Sequence, residues 1–281
     1  MMLLSKNKWF LMMGCLWLVT GCISHSEKDN KATPEKKKSA VTEKNAVASS
    51  KKVQKKVPVI CYHAIRTTAK SDSANKRTYS VAPEVFAQQM KALSDAGYTT
   101  ISPDALYNYL VYHKSLPKKP ILITFDDGRK EQYTIGSKEM KKYHFKGVFF
   151  IMTVATGKKE YMTKDEIKSL FDDGHTIGCH TWDHQRVNQF GPEDWQLQLV
   201  KPKKTLENIT QKPIVYFAYP YGVWNEPTAD SLKKDGYKMA FIVYGKNDPR
   251  KPLYTIQRMI VPGSFSASDL LKGINKTFGK G

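Results

Sequence analysis

The stretch PILITFDDG, Pro120 to Gly128, runs from an apolar segment straight into two adjacent aspartates and a glycine. It reads as a short strand that ends in a turn. Two like charges side by side repel, and such closeness is tolerated where a cation neutralises part of the charge. Side chains alternate along a strand, so Asp126 and Asp127 leave in different directions until Gly128 turns the chain. One carboxylate can then bind a metal while the other faces the water to be activated. The alternative is a solvated turn, for which Asp-Asp-Gly is a common composition.

Working outward, strands and helices alternate about seven times, as a parallel α/β domain requires. VPVICYHAI (Val57 to Ile65) reads as the first strand. A helix with Pro83 near its start follows and stops at Gly97, and another begins at Pro103. Downstream of the aspartates, KGVFFIM, HTIGCH, PIVYFAYP, KMAFIVYG and YTIQRMIVP read as strands. Between and after them, SKEMKKYHF, TKDEIKSLFDDG (capped by Thr163), NEPTADSLKKDGY and SASDLLKGINKT read as helices, as does EDWQLQLVKPKKTLENIT with an interruption at Pro202. No GxGxxG follows the first strand, so closure into a single distorted (β/α) barrel of about seven strands is expected rather than a doubly wound sheet. Reactive residues in such folds sit at the C-terminal ends of strands, which is where the aspartate pair and the Tyr-His of CYH fall.

The first 57 residues read as something other than this fold. Residues 1–21 place Lys6 and Lys8 before an apolar run from Trp9 to Val19, the pattern of a signal peptide. LVTGC (Leu18 to Cys22) resembles the lipobox of bacterial lipoproteins, which implies cleavage before Cys22 and a lipid anchor on its sulfur. An uncleaved membrane anchor with an incidental cysteine is the alternative. Residues 22–57 are rich in Lys, Ser, Ala, Thr, Glu and Asn and poor in large apolar side chains, so they read as a disordered, Lys-rich tether. Residues 58–281 are the folded domain. This arrangement implies an extracytoplasmic, membrane-tethered protein. The net charge of +19 suits an anionic neighbourhood such as lipid headgroups or wall polymer. An export signal and the absence of a nucleic-acid motif argue against nucleic acid. Cys61 and Cys179 lie in apolar stretches and are either buried thiols or a disulfide.

HTWDH, His180 to His184, sets two imidazoles four residues apart, a spacing that can reach one ion from a helix or turn. With one carboxylate they make a two-histidine, one-carboxylate set that suits Zn²⁺, or Co²⁺, Ni²⁺ or Fe²⁺. Two surface histidines are the alternative. TFDDG, HTWDH and FAYPYG, in that order, resemble the polysaccharide deacetylases of carbohydrate esterase family 4, the NodB-homology domain. The flanking VPVICYHAI, FAQQMKALSDAGYTTIS and YMTKDEIKSLFDDGHTIGCHTWDH resemble its exported poly-β-1,6-N-acetylglucosamine deacetylases. The resemblance implies a metal-dependent N-deacetylase acting, as a monomer, on an N-acetylglucosamine polysaccharide. It makes Asp126 the general base and Asp127, His180 and His184 the metal ligands. It also implies that the Tyr221 backbone N–H stabilises the oxyanion.

Two departures from the family pattern stand out. Ala218 takes the place of the arginine that orients the base, and no histidine follows His184 to act as the late general acid. In the biofilm branch the acid resembles the first-strand histidine, here His63; a core histidine is the other reading. Arg129 replaces an aromatic after the aspartates. His175 reads as structural, donating to a neighbouring backbone. Trp182, Tyr221 and Trp224 are candidates for sugar or acetyl contact or for core packing, with Trp224 favoured because it follows the YPYG turn. Rival readings are a peptidoglycan N-deacetylase, a xylan-type O-acetyl esterase, and a wall-polymer-binding lipoprotein of weak activity.

Overall fold

The computed structural model describes residues 55–279. Residues 1–54 and 280–281, and with them the expected signal peptide, tether and Cys22, lie outside the described residues. No described helix is long and apolar enough to cross a membrane.

Eleven strands occur among the described residues: β1 Val59–Tyr62, β2 Ala64–Ile65, β3 Ser80–Val81, β4 Thr99–Thr100, β5 Pro120–Phe125, β6 Gly147–Ile151, β7 Thr176–Cys179, β8 Tyr216–Ala218, β9 Met239–Ile242, β10 Ile256–Gln257 and β11 Met259–Ile260. The main sheet runs β10-β9-β8-β7-β6-β5-β1-β11, and its pairings are parallel. Its two ends are successive halves of one run, YTIQRMIVP, broken at Arg258. The first half pairs with β9 and the second with β1, so the path returns on itself as a nearly closed eight-stranded parallel barrel. The expected last strand is thus two short ones, and the break is what closes the sheet.

Period-two alternation sorts the barrel's side chains into two clusters. Val59, Leu122, Val148, Phe150, Met239 and Phe241 share one, which fills the barrel. Ile60, Ile123, Phe125, Phe149, Phe217 and Ala240 belong to the other, together with Phe86, Leu170, Leu206, Leu232 and Leu270 of the surrounding helices. Strands buried on both faces explain why the sequence runs apolar without alternation. Gly178 makes room inside: a side chain there would meet the Phe150 ring.

The helices begin where their caps sit. Pro83 and Pro103 open Pro83–Asp95 and Pro103–Tyr112, and Thr163 and Ser266 form capping boxes at Lys164–Asp172 and Ala267–Phe278. The interruption expected at Pro202 takes another form. A π-helical turn over Gln196–Val200 runs directly into the helix Lys201–Thr210. Proline offers no N–H to the carbonyl four residues back, and the widened turn just before it accommodates that loss.

Candidate active site

The interior phase of β5 carries Leu122, Thr124 and then Asp126, and that of β1 carries Val59, Cys61 and then His63 (Cys61 pairs with Thr124). The same alternation that packs the barrel therefore delivers a carboxylate and an imidazole to its C-terminal mouth. The turn begins one residue earlier than the sequence suggested. Asp127 itself has φ of +79°, followed by Gly128 at +77°, and this brings both carboxylates to one cavity of about 990 Å³. His184 (φ +67°) and Tyr221 (φ +57°) also adopt left-handed backbone. Non-glycine residues in this region are uncommon and cluster where surrounding structure enforces them, typically at functional sites.

Asp127, His180 and His184 offer ligand atoms within 4.8 Å of one another. Asp127 Oδ1 lies 3.6 Å from His184 Nε2 and 3.8 Å from His180 Nε2. The fit to a metal shows most clearly at His180. Its Nδ1–H donates to the Ala218 carbonyl at 2.7 Å, which fixes the tautomer and leaves the Nε2 lone pair facing the carboxylates. That Nε2 is fully buried and has no hydrogen-bond partner. A buried acceptor without a donor costs free energy unless a cation meets it. Burial lowers the His180 pKa to about 4, against the opposing pull of Asp126, so the ring is neutral, as a ligand must be.

Asp126 is held by a residue that sequence reasoning missed. Arg258, wholly buried at the strand break, donates Nη1 to Oδ1 at 2.6 Å and Nη2 to Oδ2 at 2.7 Å. The guanidinium replaces the arginine that the family pattern has at position 218. Ala218, small and inside the barrel, instead supplies the carbonyl for His180. The available signal was a lone arginine within an apolar strand. Cys61, also free and buried, donates its S–H to Asp126 Oδ2 at 3.4 Å. Burial raises the Asp126 pKa, but Arg258 and then His180 outweigh it and hold the carboxyl well below the usual carboxylate range. Cys61 and Cys179 form no disulfide.

His63 lines the same cavity, with Nε2 3.9 Å from Asp126 Oδ2. Burial lowers its pKa, and Asp127 and Asp126 oppose that shift. Tyr221 lies on the opposite rim, its ring centroid 4.5 Å from that of His184. The structure thus brings Asp126, Asp127, His63, His180, His184 and Tyr221 to one cavity. Trp224 is not among the residues lining it and packs against the core instead, and Trp182 lies under Lys201. His175 is structural, with the opposite polarity from that expected: its Nδ1 accepts the Gly147 N–H at 3.0 Å.

A barrel with two imidazoles and a carboxylate around one position, and a second, ion-paired carboxylate beside it, defines a metal-dependent hydrolase of amide C–N bonds. The profile described as Polysaccharide deacetylase matches residues 113–240. YxkH of Bacillus subtilis (strain 168), named for the polysaccharide deacetylases, is 30% identical over 245 residues, covering 86% of this chain and 85% of its own. The chain belongs to the polysaccharide deacetylase family. It is also similar to the poly-β-1,6-N-acetyl-D-glucosamine N-deacetylase of Staphylococcus aureus, with 27% identity over 210 residues, 68% of this chain and 71% of that one. Among solved structures, the Streptococcus pyogenes deacetylase PplD in complex with acetate superposes with a TM-score of 0.72. Its identity is 26%, over 78% of this chain and 98% of that chain. Family membership implies a polysaccharide substrate.

Proposed function

We propose that the chain removes N-acetyl groups from N-acetylglucosamine units of an extracytoplasmic polysaccharide, held at the membrane by a lipid on Cys22. The observation that carries this reading is the unpartnered Nε2 of His180, set among Asp127 and His184 beside an ion-paired Asp126. Asp127, His180 and His184 hold the divalent ion, with Zn²⁺ the best match to the donor set. When bound, the ion supplies Lewis acidity, favouring ionisation of water near neutrality and polarising the acetamide carbonyl.

Asp126 accepts the proton of the attacking water on its carboxylate, which Arg258 keeps ionised and fixed in direction. The Tyr221 backbone N–H donates to the oxyanion that develops on the carbonyl oxygen. His63 delivers a proton from Nε2 to the departing nitrogen as the C–N bond breaks, giving acetate and a free amine. The two proton-transfer groups lie 3.9 Å apart, so both transfers occur on one wall of the cavity.

The similarity to the Staphylococcus aureus enzyme supports poly-β-1,6-N-acetylglucosamine as the polymer. A peptidoglycan glycan strand is the second reading, favoured by the cationic side chains around the cavity mouth. The test is acetate release from β-1,6-linked oligomers, peptidoglycan and acetyl-xylan, with and without chelator. Chelator-sensitive release from the first or second supports N-deacetylation. Release from acetyl-xylan alone makes the protein an O-esterase, and no release together with retained polymer binding makes it a binding lipoprotein.

A further inference from the structure

The cavity mouth carries a charge pattern that the hydrolytic chemistry does not use. Asp126 is neutralised by Arg258, and Asp127 faces the metal position. Around them stand Arg66, Lys76, Arg129 and Arg186, against one further lining acid, Glu160; Arg66 is itself paired with Asp72 at 3.0 Å. The Arg186 guanidinium lies 4.3 Å from the Tyr221 ring centroid, and among the described residues no ion pair claims it. Arg129 lies over Tyr161 at 5.5 Å, with Nε 3.6 Å from Asp127. Each arginine is thus laid on a tyrosine ring beside a metal ligand. Arg129 already faces the Asp127 carboxylate, whereas stacking leaves the donor edges of Arg186 free, the geometry suited to carboxylates and phosphates. Among the described residues, Arg186 and Lys76 are the cavity-lining cations that no ion pair neutralises.

A neutral homopolymer gives Arg186 and Lys76 nothing to pair with, and its deacetylated product, a polyamine, is repelled by them. We propose that the substrate is an acidic polysaccharide, bearing carboxylates or phosphodiesters on sugars next to the reacting N-acetyl group. Arg186 recognises the anion nearest the metal, and Lys76 one further along. This rests on the deacetylase reading and narrows it, away from a neutral β-1,6 homopolymer.

The test uses sugars that lack an acetamide, so that binding is read without turnover. Dissociation constants of the full-length, zinc-loaded protein are measured for cello-tetraose, the matching tetraglucuronate and a 6-phosphodiester-bearing tetramer, at low and high salt. The acidic oligomers are expected to bind at least tenfold more tightly at low salt, with the advantage shrinking as salt rises. Arg186→Gln and Lys76→Gln should each reduce that advantage by about fivefold, the size of a partly exposed ion pair. The arm with the greater advantage identifies the anion. Equal binding of neutral and acidic sugars overturns the proposal. So does a preference untouched by both substitutions, because the metal alone then holds the anion. Acetate release from N-acetylglucosamine oligomers is scored separately, so loss of the deacetylase reading and loss of the charge proposal are distinct results.

Discussion

Burial alone would raise the proton affinity of Asp126, and the bidentate Arg258 pair reverses that. A carboxyl whose folded pKa is depressed contributes stability that is fully present above its unfolded value of 3.8 and is lost only as pH falls through the lower folded value. Arg258→Met should therefore destabilise the protein by about 3–5 kcal/mol near neutrality, the usual consequence of leaving a buried charge unpaired. Denaturant titration reads this directly. In the same variant only the weaker pulls of His180 and His63 still oppose burial, so the Asp126 pKa rises and the acid limb of the pH–rate profile moves to higher pH. Arg258→Lys should restore part of the stability but less of the rate, since an ammonium cannot hold both oxygens.

His175 adds a linkage of the same sign at higher pH. Burial lowers its pKa to about 4, so between pH 6.5 and 4 the unfolded chain binds a proton that the folded chain refuses. Stability falls across that window as pH drops, by roughly 3 kcal/mol for a shift of this size. His175→Asn should flatten the slope of unfolding midpoint against pH. At this scale the sequence showed the residue types but not the polarity of their contacts. His175 was legible as structural, whereas its role as acceptor from Gly147 depended on register.

The YPYG turn shows how much a short element decides. Tyr221 and Gly222 both have positive φ, and a side chain on Gly222 would come within 2.6 Å of the Val243 backbone nitrogen. Gly222→Ala should lower stability by about 2 kcal/mol or more, through strain and overpacking together. Thermal unfolding tests this, and acetate release should fall with it because Tyr221 moves off its rim position. Strands and helices were readable because hydrophobic runs and caps are local signals. The break at Arg258 was not, because residues 256–260 read as one continuous strand and only the two pairing partners divide it. Asp127 was likewise expected in strand geometry, yet it opens the turn itself.

For the whole molecule, the residues proposed to hold the metal, Asp127, His180 and His184, come from two loops that unfolding separates. Zinc at a thousand times its dissociation constant should stabilise the fold by about 4 kcal/mol, and chelation should remove that gain. His184→Ala should abolish the response, which thermal unfolding with and without zinc will show. The barrel class and the gathering of Asp127, His180 and His184 were legible from motif order. The arginine that pairs with Asp126 was not, since it lies 132 residues away and outside the matched span of 113–240.

The placement of Arg258 also bears on biosynthesis. Residues 256–260 are added after both aspartates and both histidines of the site, yet they supply the counter-ion of Asp126 and the segment that bridges the two edges of the sheet. A nascent or prematurely terminated chain can already contain both aspartates and both metal-binding histidines while its sheet stays open and its key carboxylate uncompensated.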